Sequence, residues 1–299
     1  MSRAISPSAK CPYGMVRTCL VWKMARSTVY GSMKRRGEPA LAPRKRGPLG
    51  AGTDEELIAH IRRVLVESPW VGEGHRKVWA MLRHQGVRTS RGRVLRLMRE
   101  EGLLAPQRAG HRRGPKAHEG SITPTLPDLL WGTDMTTTLT GEGNASIFLL
   151  VDHCTSECLG IHAARRGTRY EALEPVHQAV GVRWGEVEKG VASASGLKLR
   201  HDHGSQYISD AFQEELVFLG IESSPSFVRE PEGNGCAERF IRTLKEQLLW
   251  IQRFETVEEL RLALHEFRVR YNQEWMIQRH DYRSPSQFRA DLLDIDVAA

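Results

Sequence analysis

No apolar stretch in this chain approaches the roughly 20 residues needed to cross a bilayer, and its first residues lack the apolar run of a secretory signal. The expectation is a cytoplasmic protein with no membrane partner. Its five cysteines, Cys11, Cys19, Cys154, Cys158 and Cys236, are odd in number and include no C-x-x-C pair. A disulfide framework and a four-cysteine zinc site are therefore not expected, and the thiols read as reduced and structural. Cys236 stands two residues before Glu238. On a helix that offset turns it to another face, as a small hydrophobe rather than a nucleophile.

What the chain does have is charge, unevenly placed. Residues 1–120 hold 25 Lys and Arg against 9 Asp and Glu, an excess of 16, whereas 121–299 hold 18 against 27. Such a split predicts a basic half that grips a polyanion and an acidic half with a different task. At 299 residues and 40% hydrophobic content, two or three domains with real cores are expected.

The opening residues to about Pro12 read as disordered. Met15 to Trp22 reads as a helix, and Ala25 to Lys34 as a turn leading into a second, the makings of a helix-turn-helix. A plain helical pair is the alternative. Glu38 to Thr53, with three prolines around Arg44-Lys45-Arg46, reads as a basic linker. Helices resume at Asp54-Glu55-Glu56, acids that suit a helix start, with Leu57, Ile58, Ile61, Val64 and Leu65 at helical spacing.

A second helix-turn-helix candidate runs through Arg76 to Arg83, turns at Gly86 and restarts at Thr89-Ser90. Its second helix carries an apolar stripe of Val94, Leu97 and Met98 and ends at Gly102. Arg91, Arg93, Arg96 and Arg99 lie on the other faces as candidate DNA contacts, against the alternative of a solvated arginine face. Leu103 to Gly120 reads as a flexible basic tether in which Arg112 and Arg113 track phosphate.

From Pro127 the pattern becomes strands, then strands alternating with helices. Strands are expected at Leu130–Thr137, Ser146–Val151, Leu159–Ala164, up to Asp202, and at Gly220–Ser223. Helices are expected at Thr168–Trp184, Ser209–Gly220 and Gly235 to about Trp250. This is an α/β pattern, a mixed sheet with helices packed on it.

Three carboxylates stand out on those elements. Asp134 lies on the first strand, where alternation puts it on the face opposite Trp131. Asp202 closes a later strand, so both can sit at one rim of the sheet. Glu238 lies 36 positions beyond Asp202, with 35 residues between them, in the first turns of a helix for which Asn234 reads as the N-cap. Lys245 is about two turns further on the same face. Converging carboxylates can hold a divalent metal, since hard cations prefer oxygen ligands, and this points to phosphate chemistry. Asp152 and Glu232 compete for the same role, although Asp152 reads better as a cap on the turn before Cys154-Thr155-Ser156.

Trp131-x-x-Asp134-x-Thr136, Asp202-His203-Gly204-Ser205-Gln206-Tyr207-x-Ser209 and Asn234-Gly235-x-Ala237-Glu238-Arg239 with Lys245 resemble the DDE catalytic core of bacterial insertion-sequence transposases, in the retroviral-integrase-like group. The stretch from Arg76 to Met81-Leu82 and from Arg93 to Leu103 is similar to the helical region preceding that core. The resemblance implies a ribonuclease-H-like core with a five-stranded sheet and two magnesium or manganese ions held by Asp134, Asp202 and Glu238. It also implies an enzyme that cleaves a strand at the element's end and joins the freed 3′-hydroxyl to another phosphodiester. Lys245 is then a DNA contact, with Arg242 a further candidate on its helix. Transposon ends and target DNA are the expected partners, with at least a dimer on DNA, a possible upstream-frame product and a bacterial, nucleoid-associated location. Trp275 and Ile277 depart from the family's Arg and His in the tail. His201, where Ser is usual, reads as structural rather than a ligand.

The expected organisation is 1–52, a helix-turn-helix-like region and linker; 53–105, a helical DNA-binding domain; 106–126, a basic linker; 127–290, the catalytic core; and 291–299, a tail. A hydrolytic nuclease of the same fold shares every ligand. A non-catalytic DNA-binding regulator or a decayed element is the alternative of another class.

Overall fold

The structure is a computed structural model that describes residues 3–37, 52–106, 124–226 and 234–298, and contacts divide it into two units, Met1–Gly50 and Ala51–Ala299. Most of both basic linkers lies outside the described residues, as do Arg112, Arg113 and Glu232.

The first unit carries α1 (Gly14–Val21) and α2 (Arg26–Gly37). The expected disorder ahead of them is corrected. Ile5 bridges Pro12, Ser6 N donates to the Cys11 carbonyl at 2.9 Å and Tyr13 N to that of Ala4 at 3.0 Å. Lys10 makes the reversal with a φ of 47°, and local polar bonds supply what composition does not signal.

The second unit begins with three helices, α3 (Asp54–Glu67), α4 (His75–His84) and α5 (Arg91–Glu100). Thr53 and Glu56 form a capping box at the start of α3, and the Ser90 hydroxyl accepts from Arg93 N at the start of α5. The expected stripes close on one another, with Leu57, Ile61, Val64, Val78, Leu82, Val94, Leu97 and Met98 buried together. Gly86 (φ 80°) and Gly102 (φ 66°) take the left-handed conformations that end α4 and α5.

Five strands then form one mixed sheet, ordered β3-β2-β1-β4-β5: β1 (Leu130–Thr140), β2 (Gly143–Asp152), β3 (Cys158–Ala164), β4 (Lys198–His201) and β5 (Glu222–Pro225). The first three are antiparallel neighbours, and β4 joins β1, then β5 joins β4, in parallel. The β1–β2 hairpin reaches further than alternation suggests, to Thr140 and Gly143, where the Thr140 hydroxyl donates to the Gly143 carbonyl at 2.9 Å. β5 starts two residues later than expected.

Helices α6 (Arg169–Trp184) and α7 (Asp210–Leu219) cover one face, burying Phe148, Trp131 and Leu199 with Val176, Phe212 and Tyr207. Helices α8 (Gly235–Leu244) and α9 (Val257–Glu274) cover the other, around Ile147, Leu149, Phe240, Leu264 and Phe267. The chain closes with α10 (Pro285–Ala298).

The three-helix domain is docked on this core. Trp70, between α3 and α4, is buried in the α8–α9 cluster, edge-on to Phe267 at 5.8 Å and Trp275 at 5.0 Å. Gln247 clasps Val71, accepting from its backbone N–H and donating to its carbonyl, both at 2.8 Å. Arg76 donates to the Gln278 side chain at 3.0 Å.

Candidate active site

Asp134 stands midway along β1, on the α8 face of the sheet. Its register partner Leu149 belongs to the α8–α9 cluster, whereas Trp131 is buried on the α6–α7 side, as alternation requires. Its Oδ1 accepts from Met135 N at 2.7 Å.

Asp202 reaches it by a different route from a shared rim. β4 is only four residues long and pairs Trp131 with Leu199 and Gly132 with Arg200. The pairing stops there, near the start of β1, and Asp202 follows the end of β4 directly, within electrostatic reach of Asp134. Gly204 N donates to Asp202 Oδ1 at 2.9 Å and holds the carboxylate as the chain turns away.

Glu238 comes from the first turn of α8. The helix seats Ala237, Phe240 and Leu244 on the sheet, which leaves Glu238 to the site. Burial raises the Glu238 pKa above the ordinary carboxylate value. Asp134 is pushed up to about 6, first by burial and then by the charges of Asp202 and Glu238, while Lys245 pulls the other way. Asp202, Glu238 and Lys245 therefore each lie within electrostatic reach of Asp134. Lys245 opens a π-helical turn (Lys245–Leu249), where an α-helix to about Trp250 was expected. Such turns widen a helix by one residue and favour functional sites.

The donor set suits a divalent cation: hard oxygens, partly buried, with the pKa of one carboxyl pushed up to about 6 by burial first and then by its like-charged neighbours. Among the described residues, no three His, Cys, Asp or Glu are yet drawn together closely enough to hold an ion. Asp152 is no competitor. Buried completely, it accepts from Thr155 N, the Thr155 hydroxyl and Asp128 N, and so caps its turn as expected.

His201 is no ligand either. Its Nδ1 donates to the Asp202 carbonyl at 2.7 Å and its Nε2 faces the Ser223 hydroxyl at 2.9 Å, with burial lowering its pKa. The ring ties β4 to β5 just before Asp202. Asn234 corrects an expectation: it makes no side-chain cap on α8, and its Nδ2 donates instead to the Thr133 carbonyl at 2.9 Å. Sequence gave no sign of that bond, because the partners are 101 positions apart.

The proposed DNA contacts divide. Arg93 and Arg96 both pair with Asp54 at 2.6 Å, and Arg96 also with Glu100 at 2.9 Å. Arg91 lies over the Trp79 ring at 5.3 Å, Arg242 pairs with Glu246 at 2.7 Å, and Arg99 is exposed. Arg112 and Arg113 fall outside the described residues.

Two models of an integrase core domain match residues 124–231 and 219–285, and a model of an HTH-like domain matches 53–111. The chain belongs to the integrase-core family. Integrase-core relatives include the transposase InsD of insertion element IS2A/D/F/H/I/K from Escherichia coli, 26% identical over 244 residues that cover 79% of this chain and 78% of the relative. The InsD transposase of IS2-9 from Escherichia coli K12 is also 26% identical, over 79% of this chain and 77% of its own.

Among solved structures, a simian T-cell lymphotropic virus intasome in complex with PP2A regulatory subunit B56 gamma matches at 16% identity and a TM-score of 0.46, covering 79% of this chain and 74% of that one. The HTLV-2 integrase catalytic core in complex with magnesium matches at 18% identity and a TM-score of 0.42, covering 55% and 97%.

Proposed function

We propose that this integrase-core protein is the transposase of a bacterial insertion element, and that it cleaves DNA strands at the element's ends and joins the freed 3′-hydroxyls to target DNA. One observation carries the reading. Asp134, its pKa raised to about 6, feels the charges of Asp202, Glu238 and Lys245 together. Two carboxylates within electrostatic reach of a third, buried one repel it, a repulsion that a bound cation relieves, and a lysine beside them suits a polyanionic substrate.

Asp134, Asp202 and Glu238 hold two magnesium or manganese ions in this reading. Ions held there would supply activation of the attacking oxygen and neutralisation of the charge that develops on the leaving one. Lys245, directly after the end of α8, holds a backbone phosphate so that the scissile bond faces Asp134. Residues 53–105 grip the element's end with Arg91 and Arg99, and the basic linkers, with Arg112 and Arg113, track phosphate. Two ends have to be held at once, so at least a dimer assembles on DNA. The relatives, transposases by name, support the same activity.

The test is a strand-transfer assay with a duplex carrying the element's terminal sequences, a target plasmid and magnesium. Joined products are expected, and they disappear in Asp202→Asn while DNA binding persists. Hydrolysis without joining identifies a nuclease of the same fold. Binding with neither product identifies a regulator and overturns the enzyme reading.

A further inference from the structure

We propose that Asn234 is a positioning residue for this reaction: its side-chain amide fixes the start of α8 against β1 and so sets where Glu238 stands relative to Asp134. The inference rests on the assignment of Asp134 and Glu238 as metal ligands.

Four observations support it. The amide Nδ2 donates to the carbonyl of Thr133, the residue directly before Asp134, at 2.9 Å. Asn234 lies four positions before Glu238 and directly precedes α8, so about 6 Å of helix axis separates the anchor from the carboxylate. A shift of the anchor passes directly to Glu238. Thr133 is itself pinned, its hydroxyl donating to the Leu149 carbonyl at 2.9 Å in a fully buried setting, so the bond ends on rigid strand.

Second, Asn234 stands where an N-cap belongs, and Asn is among the best capping residues. It makes no cap bond. Its Oδ1 accepts from no helix N–H while its Nδ2 is given to the strand, which gives up local helix stability for a long-range fix. Third, the residue is buried and its Oδ1 has no partner among the described residues. A side chain kept only to fill space would not carry that cost, since an apolar residue fills it without an unpaired acceptor.

Fourth, Gly132 makes room for the bond. A Cβ at that position would come within 2.5 Å of Asn234 Oδ1 and 2.5 Å of His153 Nε2. The backbone there is ordinary strand, so the requirement for glycine is steric. A methyl at 132 pushes the amide off β1 from the opposite side, and Gly132→Ala and Asn234→Ala should therefore fail in the same way.

The full-length chain, its Asn234→Ala, Asn234→Asp and Gly132→Ala variants, and Glu238→Gln as reference are compared by three readouts. These are strand transfer of an element-end duplex across a magnesium titration, Mn2+ binding without DNA by electron paramagnetic resonance, and amide exchange over residues 235–240. For Asn234→Ala and Gly132→Ala, we expect the magnesium needed for half-maximal rate and the Mn2+ dissociation constant to rise about 10- to 100-fold. Exchange in the first turn of α8 should quicken, with end-DNA binding unchanged. Asn234→Asp keeps the shape and loses the donor, and should follow the same pattern.

Wild-type metal dependence and exchange in these variants overturn the proposal, as does a loss confined to thermal stability. An active Glu238→Gln overturns the ligand assignment itself, whatever Asn234 does, so the two failures are distinguishable.

Discussion

Lys77 sets its ammonium nitrogen 3.0 Å from the centroid of the Trp275 ring, and so joins the three-helix domain to the end of α9 through a cation–π contact. The same ammonium lies 3.5 Å from Glu73, whose side chain is only 3% exposed. Burial dominates both partners: it lowers the Lys77 pKa to about 8 and raises that of Glu73. Desolvation thus outweighs the attraction within the pair. Lys77→Met alone, which leaves Glu73 buried and unpaired, should cost about 3 kcal/mol in urea unfolding, and Glu73→Gln with Lys77→Met should recover most of it. Below about pH 8 the folded protein keeps Lys77 charged and bears the full cost. Between about 8 and the unfolded value of 10.5 the folded state sheds the proton first, so this group's contribution to stability should rise with pH.

Asp134 offers a second pH test of opposite chemistry. Its folded pKa of about 6 lies above the ordinary 3.8, so the folded state prefers the protonated carboxyl. Stability from this group is therefore present below about pH 4, falls as pH rises to 6, and stays lost above it. Asp134→Asn removes that fall, and without metal at pH 7.5 it should be more stable than wild type by about 2 kcal/mol while losing strand transfer. Magnesium should raise the wild-type melting temperature and leave the variant's unmoved. Equal magnesium shifts in both proteins would remove Asp134 from the metal site.

Asp54 holds two of the arginines that sequence offered to DNA. Asp54→Asn removes the carboxylate that pairs Arg93 and Arg96 at 2.6 Å each, leaving Arg96 with Glu100 and Arg93 with the Gly52 carbonyl. Binding to a random duplex should tighten, and the slope of log affinity against log salt should steepen by about one for each arginine that then reaches phosphate. An unchanged slope in a salt titration places both arginines off the DNA.

Gly160 fixes the layer on the far side of the sheet. A Cβ there would meet the Pro175 carbonyl oxygen at 2.1 Å, backbone against backbone. Gly160→Ala should force α6 away from β3 and cost about 3 kcal/mol in thermal or chemical unfolding. A near-neutral value would mean that α6 shifts freely along the sheet.

Much of this was legible in residues. The alternation that put Trp131 and Asp134 on opposite faces, the apolar stripes of α3 and α5, and the turn acid Asp152 all depend on neighbours within a few positions, where periodicity speaks directly. Asp202 was found by its strand, but its approach to Asp134 depends on β4 pairing with β1, strands far apart in the chain, which no local pattern states. The π turn at Lys245 and the Asn234–Thr133 bond are tertiary choices that override good local alternatives, a continued α-helix and an N-cap. Arg93 and Arg96 read as free cations because their partner Asp54 lies 39 and 42 positions away.

The clasp between Gln247 and Val71 gives the molecule a built-in ruler. Gln247 sits in the π turn that Lys245 opens, and Val71 leads into α4 and α5, so the surface proposed to grip the element's end and the proposed reacting centre share one seat. The number of base pairs between the sequence gripped and the bond broken is then dictated by protein geometry, whatever the length of the tether that joins the two parts along the chain. Elements served by this enzyme should tolerate altered letters between those two points far better than an added or missing one.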